Sequence, residues 1–299
     1  MLCQFTFRNF KSYKNETILD LQAVNGQNFQ DALLSSPNDK NEFLPVSVIY
    51  GPNAGGKSNV LSALNSVISL VMKPVLMFEN KLIQYETVEL TPFLFDETSS
   101  KEPTDFEIYF RPNNDYEYKY SISITNGKIE EENLYRRKLG KGGRITAIFE
   151  RSSNRITLGA SINKKNINLD VNEQMPYLSF LYINYKLEPV ILAISWFQSC
   201  IIRNYANPVT ERHLIIGGGE EFKKKLILLM NEVGINISNF EFVKKSDDER
   251  SYKIIFEHTV NGKTYQLNIN QESDGTQKLF NVLPLVLIAL NEGRLLVID

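Results

Sequence analysis

Residues 51–58 read Gly-Pro-Asn-Ala-Gly-Gly-Lys-Ser and fit the pattern Gly-x-x-x-x-Gly-Lys-Ser/Thr. The apolar run Leu44–Tyr50 precedes this stretch, and Asn59–Met72 follows it with the apolar spacing of a helix. Glycines let backbone N–H groups turn inward around a phosphate at a helix N-terminus. The order of central strand, glycine-rich loop and helix therefore predicts an α/β fold built around a phosphate-binding loop.

The side chains of this loop have different predicted roles. Lys57 is expected to reach the β- and γ-phosphates of a nucleotide, and the Ser58 hydroxyl is expected to bind Mg²⁺. The residues predicted to contact the nucleotide are Gly51, Pro52, Asn53, Ala54, Gly55, Gly56, Lys57, Ser58 and Asn59.

A second motif lies near the C-terminal end of the sequence. By itself, Ser273-Asp274-Gly275 is typical of a turn followed by a helix cap. Here it opens a predicted helix that leads into Leu295–Asp299, four apolar residues followed by an aspartate. A buried strand that delivers a carboxylate beside a phosphate loop is the Walker B arrangement. Asp299 is therefore predicted to hold Mg²⁺ and, together with Lys57, to take part in catalysis.

The middle of the chain is rich in predicted strands. Phe106–Phe110, Tyr116–Ile124 and Ile129–Tyr135 alternate apolar and polar residues, as antiparallel strands do, and turn residues separate them. We expect residues 1–72 and 270–299 to form a discontinuous nucleotide-binding core. Residues 73–171 are expected to form a β-rich subdomain, and residues 172–269 a helical and β insertion that serves as a lid.

Composition narrows the class of protein. Lys and Arg number 33 and Asp and Glu 35, so the net charge of −2 disfavours a generally basic nucleic-acid-binding protein. With two cysteines, two histidines and no Cys-x-x-Cys pair, the chain offers neither a disulfide framework nor a Cys/His zinc site. The apolar run Val282–Leu290 is too short to span a membrane, and Pro284 interrupts it. A cytoplasmic protein without a membrane segment is expected.

The order of these motifs resembles that of ABC-type ATPase heads of the SMC/RecF branch, in which a Ser-x-Gly signature lies between the two Walker motifs. Further similarity is to bacterial ATP-binding proteins of the AAA class found in phage-defence loci of the Septu, PARIS and abortive-infection types. The stretches that carry it are Phe7–Ser12, Val48–Ala54, Thr91–Phe93 and Glu272–Thr276. The fold that this resemblance implies is a P-loop head with a mixed central sheet, an antiparallel β subdomain and an inserted helical lid.

The resemblance also implies roles for individual residues. Ser273 and Gly275 should contact the γ-phosphate of an ATP held by a second copy, so ATP would join two chains into a homodimer. Lys11 and Ser12 match positions that approach the nucleotide in such heads. Gln84 is the nearest candidate for the glutamine that the family carries before its lid.

In the family, a glutamate that positions the attacking water follows the Walker B aspartate, whereas this sequence ends at Asp299. The chain is therefore expected to be either a fragment or a protein that binds ATP without efficient turnover. The function predicted is an ATP-binding and ATP-hydrolysing dimerising switch that controls an effector, a nuclease or toxin, in anti-phage defence. The alternatives are a RecF-like DNA-repair ATPase and a non-hydrolysing, ATP-bound scaffold. A GTPase is disfavoured because no Asn-Lys-x-Asp tetrapeptide occurs.

One basic stretch, Tyr135–Arg151, carries six basic residues against the single acid Glu150. We refer to it as the basic hairpin. It is either a solvated loop or a contact for nucleic acid or an acidic partner. His213 and His258 precede the Walker B strand, so neither can be the switch histidine that follows it in the family.

Overall fold

The alternation of apolar and polar residues in the first 160 residues produces a seven-stranded antiparallel sheet in the computed structural model. The described residues are 1–24, 30–79, 88, 90–153, 155–163, 165–203, 205, 210–244 and 252–299. Over this part of the chain the protein is a mixed α/β structure with six α-helices, and it divides into two units, residues 1–200 and 201–299.

The first unit holds the large sheet. Its strands are β1 (Leu2–Arg8), β2 (Thr17–Asp20), β5 (Thr104–Phe110), β6 (Tyr116–Thr125), β7 (Lys128–Lys138), β8 (Ile145–Ser152) and β9 (Arg155–Leu158). A separate hairpin contains β3 (Leu34–Ser36) and β4 (Asp39–Phe43). The order in the sheet is β2-β1-β5-β6-β7-β8-β9, with every neighbouring pair antiparallel. The three middle strands predicted from the sequence are therefore confirmed.

Three helices complete the first unit: α1 (Lys57–Phe78), α2 (Tyr177–Asn184) and α3 (Glu188–Ser199). Trp196 in α3 stacks on Phe110 of the sheet with ring centroids 4.3 Å apart, and Tyr177 in α2 meets Phe149 edge-on. Helix α1 packs against both α2 and α3. The sheet thus buries one face under α2 and α3, as an amphipathic sheet requires.

Helix α1 begins two residues before the predicted start at Asn59. It continues through Pro74 and ends at Phe78, six residues beyond the predicted end at Met72. Its buried side chains recur at helical spacing: Val60, Ala63, Leu64, Val67, Ile68, Val71, Met72 and Val75. By length and composition, α1 is the one helix among the described residues that could cross a membrane. Half of its most apolar 18-residue window is buried inside the protein.

The second unit contains β10 (Ile201–Arg203), α4 (Arg212–Gly217), α5 (Gly219–Glu232), β11 (Asn239–Lys244), β12 (Tyr252–Val260), β13 (Lys263–Asn268), α6 (Asp274–Glu292) and β14 (Leu296–Ile298). Strands β11, β12 and β13 form an antiparallel sheet, and β10 pairs with β14 in parallel. A buried cluster joins α5 and α6 to the antiparallel sheet, with Phe280 edge-on to both Phe240 and Phe256.

The predicted central strand over Leu44–Tyr50 is wrong. After the bond from the Leu44 N–H to the Leu21 carbonyl, this segment pairs with no strand among the described residues, and most of its apolar side chains are exposed. Val46 is 74%, Val48 61% and Tyr50 87% exposed. An apolar run predicts that a segment can be a strand, but a strand forms only where a neighbouring edge satisfies its N–H and C=O groups.

Candidate functional site

The phosphate loop, Gly51–Ser58, lies at the N-terminus of α1 and is exposed over its first five residues. Its shape depends on two left-handed residues, Ala54 with φ 61° and Gly56 with φ 86°. The Gly55 N–H donates to the Pro52 carbonyl at 3.1 Å and closes the loop. The loop therefore presents its backbone to solvent at the positive end of a 22-residue helix, where an anion is favoured.

Lys57 is the first residue of α1, and its side chain folds back over the loop. Its Nζ donates to the carbonyl oxygens of Gly51 and Pro52, at 3.0 Å and 2.8 Å. Neutral carbonyls are weaker partners for an ammonium than phosphate oxygens are. An exposed ammonium, a helix N-terminus and a left-handed loop together suit the phosphates of a nucleotide.

A tight turn of the N-terminal region rests against the phosphate loop. Residues 10–13, here called the N-terminal turn, are closed by two backbone bonds between Phe10 and Tyr13. Lys11 Nζ donates to Ser62 Oγ at 2.6 Å, and Ser12 Oγ accepts from Asn59 Nδ2 at 2.8 Å. The structure thus brings Lys11 and Ser12 to the first turns of α1. Contact of these two residues with a nucleotide stays a prediction.

Two further residues of this region were missed from the sequence. The Tyr13 hydroxyl donates to the Gly56 carbonyl at 3.3 Å, and Ser62 receives the Lys11 ammonium. Ser62 lies four residues after Ser58, which places both hydroxyls on one face of α1. That spacing was a signal available in the sequence, whereas the approach of Tyr13 depends on the tertiary fold.

Replacing Gly56 with alanine tests how tightly the N-terminal turn fits. A Cβ at this position would lie 2.7 Å from Ser12 Oγ and 3.1 Å from the Tyr13 ring, and φ 86° is costly for an L-residue. We expect G56A to lower the free energy of unfolding by about 1–3 kcal/mol. G51A is the matched control, since its Cβ would meet only the Lys57 side chain, at 3.8 Å. Equal unfolding midpoints for both variants would contradict this fit.

The Ser-Asp-Gly motif lies in the second unit and begins α6. Ser273 is the N-cap of this 19-residue helix, and its Oγ accepts from the Thr276 N–H at 3.1 Å. Residues 273–275 are exposed, and a Cβ on Gly275 would touch only Ser273 Oγ, at 3.7 Å. The motif is therefore a capped and accessible helix start.

The residue before this motif is anchored by a histidine. His258 Nε2 lies 2.7 Å from Glu272 Oε1, and His258 Nδ1 lies 2.8 Å from the Asn236 carbonyl. Both distances are those of hydrogen bonds, so the imidazole ring joins residue 236 to residue 272. His258 has a structural role in holding the segment that leads to Ser273.

Asp299 follows β14, as the Walker B pattern predicts. Its N–H donates to the Arg203 carbonyl at 3.1 Å, and its carbonyl accepts from the Tyr205 N–H at 2.8 Å. The parallel pairing with β10 extends over three residues, of which Val297 is buried. The phosphate loop belongs to the first unit and Asp299 to the second. Gln84, the candidate lid glutamine, lies outside the described residues.

Half of the basic side chains in the basic hairpin are engaged within the chain. Arg136 pairs with Glu188 at 2.7 Å, and Arg137 pairs with Glu117 at 2.9 Å. Arg151 is buried and donates to the Met175 carbonyl at 2.8 Å. The exposed basic residues are Lys138, Lys141 and Arg144. Nucleic-acid binding by this hairpin stays a prediction, with a smaller positive surface than the sequence indicated.

Other reactive chemistry has little support in the described part of the chain. Burial raises the pKa of the Cys3 and Cys200 thiols to about 12, so both stay protonated at neutral pH and neither is an activated nucleophile. In the same residues, no group of three or more His, Cys, Asp or Glu side chains is placed to hold a metal ion.

A protein-family model described as "AAA domain, putative AbiEii toxin, Type IV TA system" matches residues 46–299, which is most of the chain and includes the phosphate loop, the Ser-Asp-Gly motif and Asp299. No curated protein matches the chain.

Proposed function

Because the chain belongs to the AAA domain family whose model matches residues 46–299, we propose that it binds ATP with Mg²⁺ and acts as a nucleotide-dependent switch. The observation that carries this proposal is the phosphate loop: an exposed, left-handed loop at the N-terminus of α1, with the Lys57 ammonium lying over it. The family supports a nucleotide-dependent role in general, and the switch itself is our proposal.

Each residue of the motifs has a proposed role in binding. The N–H groups of the phosphate loop hold the β- and γ-phosphates, and Lys57 exchanges its two carbonyl partners for phosphate oxygens. Ser58 and Asp299 are the proposed Mg²⁺ ligands on the strength of their motifs. Bound Mg²⁺ would neutralise phosphate charge and so make the γ-phosphate a better electrophile. Lys11 and Ser12 are proposed to approach the nucleotide from the N-terminal turn.

The proposed architecture is an ABC-type head that dimerises through ATP. The start of α6 supports this, because it is exposed, belongs to a long helix and presents the Ser273 hydroxyl together with the N–H groups of the first turn. Such a helix end attracts a negatively charged group. We propose that this group is the γ-phosphate of an ATP bound to a second copy, contacted by Ser273 and Gly275.

A pair of variants at Ser273 tests the dimer. Asp and Asn both cap helices as well as Ser does, so S273D and S273N should keep α6 intact. Only S273D places a negative charge where the γ-phosphate is proposed to bind. We expect Mg²⁺ and a non-hydrolysable ATP analogue to dimerise wild type and S273N, whereas S273D stays monomeric with near-normal nucleotide affinity. Sedimentation velocity measures this. Nucleotide-driven dimers of S273D would show that another surface holds them.

The proposed partner is an effector protein, a nuclease or toxin. The family description names a toxin and a type IV toxin–antitoxin system, which supports an effector context without naming the effector of this chain. Phosphate release from ATP, measured on purified protein, tests the hydrolytic part of the proposal. Binding of ATP without turnover would instead favour the scaffold.

A further inference from the structure

The Asn9 side chain is buried and hydrogen-bonded at both its nitrogen and its oxygen. The two N–H bonds of its amide nitrogen are shared among three carbonyl oxygens: Ser99 at 2.8 Å, Glu102 at 3.0 Å and Pro103 at 3.2 Å. Its Oδ1 accepts from the Phe93 N–H at 2.9 Å. Asn9 is 1% exposed, so each of these bonds replaces water that the amide has lost.

The backbone conformation at position 9 also restricts which residue can occupy it. Asn9 has φ 52°, in the left-handed region, which asparagine tolerates better than most residues do. Its own carbonyl accepts from the Thr104 hydroxyl at 2.8 Å, and its N–H donates to the Lys14 carbonyl at 3.2 Å. Aspartate has the same shape, but its carboxylate would face three carbonyl oxygens. Backbone and amide therefore both specify asparagine at position 9.

The amide of Asn9 joins two segments that are far apart in the sequence. One is the N-terminal turn, which follows Asn9 directly. The other is the segment of residues 91–104, which is hydrogen-bonded to the amide of Asn9. A further bond joins this segment to the turn directly, because the Lys11 N–H donates to the Thr91 carbonyl at 2.8 Å. The side chains of the turn contact Gly56, Asn59 and Ser62. Residues 91–104 are thus hydrogen-bonded to Asn9, and the turn that follows Asn9 in the chain is hydrogen-bonded to Gly56 of the phosphate loop and to the first turns of α1.

We propose that Asn9 is a positioning residue of the nucleotide site: its amide holds the N-terminal turn, and through it Lys11, against the phosphate loop. The proposal rests on the proposed ATP binding. Asn9 itself touches no nucleotide. It fixes the turn in one conformation before ATP arrives, so less conformational entropy is lost when Lys11 and Ser12 are ordered at the nucleotide.

The variant N9G removes the amide and leaves φ 52° easy to adopt, so it isolates the side chain. We expect N9G to lower ATP affinity about tenfold, with K11A giving a similar loss. The double variant should lose little more than either single one, because Asn9 acts through Lys11. Independent effects would multiply to about a hundredfold loss and would overturn the proposal.

Y120F is the matched control. It removes the bond from the Tyr120 hydroxyl to Glu132, another buried hydrogen bond of the first unit, and touches neither the turn nor the loop. We expect Y120F to lose stability but to bind ATP as wild type does. Equal loss of affinity in Y120F and N9G would show that Asn9 matters only through stability. Failure of wild type to bind ATP would instead overturn the proposed function.

Amide hydrogen exchange on wild type tests the same idea without a variant. If Asn9 couples the two segments, a non-hydrolysable ATP analogue should slow exchange in residues 10–13 and in residues 91–93 together with the phosphate loop. Protection confined to the phosphate loop would overturn the proposal.

Discussion

Changing Lys57 to alanine is expected to weaken ATP binding at least about thirtyfold while leaving the fold unchanged. The ammonium is exposed enough to reach a ligand, and its partners in the loop are only the carbonyls of Gly51 and Pro52. Losing a charge-assisted contact with phosphate costs about 2 kcal/mol, which corresponds to this change in the dissociation constant. Titration with a fluorescent ATP analogue measures it.

K128A is a suitable control for the charge. Lys128 is an exposed lysine at the start of β7, paired with Glu173, and lies outside the proposed site. We expect K128A to bind ATP as wild type does. Unchanged affinity in K57A, with the unfolding midpoint also unchanged, would mean that the nucleotide does not bind at the phosphate loop.

Changing Glu132 to alanine is expected to lower the free energy of unfolding more than changing Gly56 to alanine does. Its buried carboxylate accepts hydrogen bonds from the Tyr120 hydroxyl and from the backbone N–H groups of Tyr177 and Leu178, at 2.6–3.1 Å. It therefore caps α2, whose N-cap residue, Pro176, offers no side-chain bond. E132A would also leave the buried Arg151, 3.5 Å away, without its carboxylate. We expect a loss of about 3–5 kcal/mol.

The single tryptophan reports this unfolding. Trp196 is buried in α3 against Phe110, so its fluorescence follows the first unit during denaturation in urea. E131A is the control, because Glu131 is the neighbouring exposed residue of β7. We expect E131A to stay within about 0.5 kcal/mol of wild type. A similarly small effect of E132A would show that water replaces the carboxylate at the start of α2.

The sequence predicted the parts of the fold that depend on local pattern. The antiparallel strands of the middle region alternate in a way that one buried sheet face requires, and α1 and α6 carry apolar residues at helical spacing. The strand predicted over Leu44–Tyr50 was wrong because the apolar pattern of a segment does not show whether a neighbouring strand is available to pair with it. Periodicity records which side of a segment avoids water, whereas pairing depends on segments distant in the sequence.

In the candidate site, too, some residues could be predicted from local sequence pattern and others could not. The phosphate loop and its helix could be recognised from spacing alone, since a phosphate cradle needs glycines at fixed positions. Asn9 and Glu132 could not, because their importance comes from partners far along the chain. For Glu132 the pattern was also misleading: two consecutive exposed residues, Glu130 and Glu131, interrupt the alternation of β7. Counting from Ile129 would place Glu131, not Glu132, inside.

The topology of the large sheet also bears on when the proposed nucleotide site can form during folding. Strands β5 to β9 follow one another in the sequence and in space, so their hairpins close over short loops. Strand β1 joins them only by pairing with β5, with Leu2 opposite Phe110. Contacts this distant in the chain form slowly. During synthesis, Phe5 and Phe7 of β1 therefore stay exposed until β5 has been made and has paired with β1. Asn9 directly follows β1, and its partners lie just before or at the start of β5. We therefore expect Asn9 to reach them when β1 pairs with β5, and nucleotide binding to be acquired late in folding.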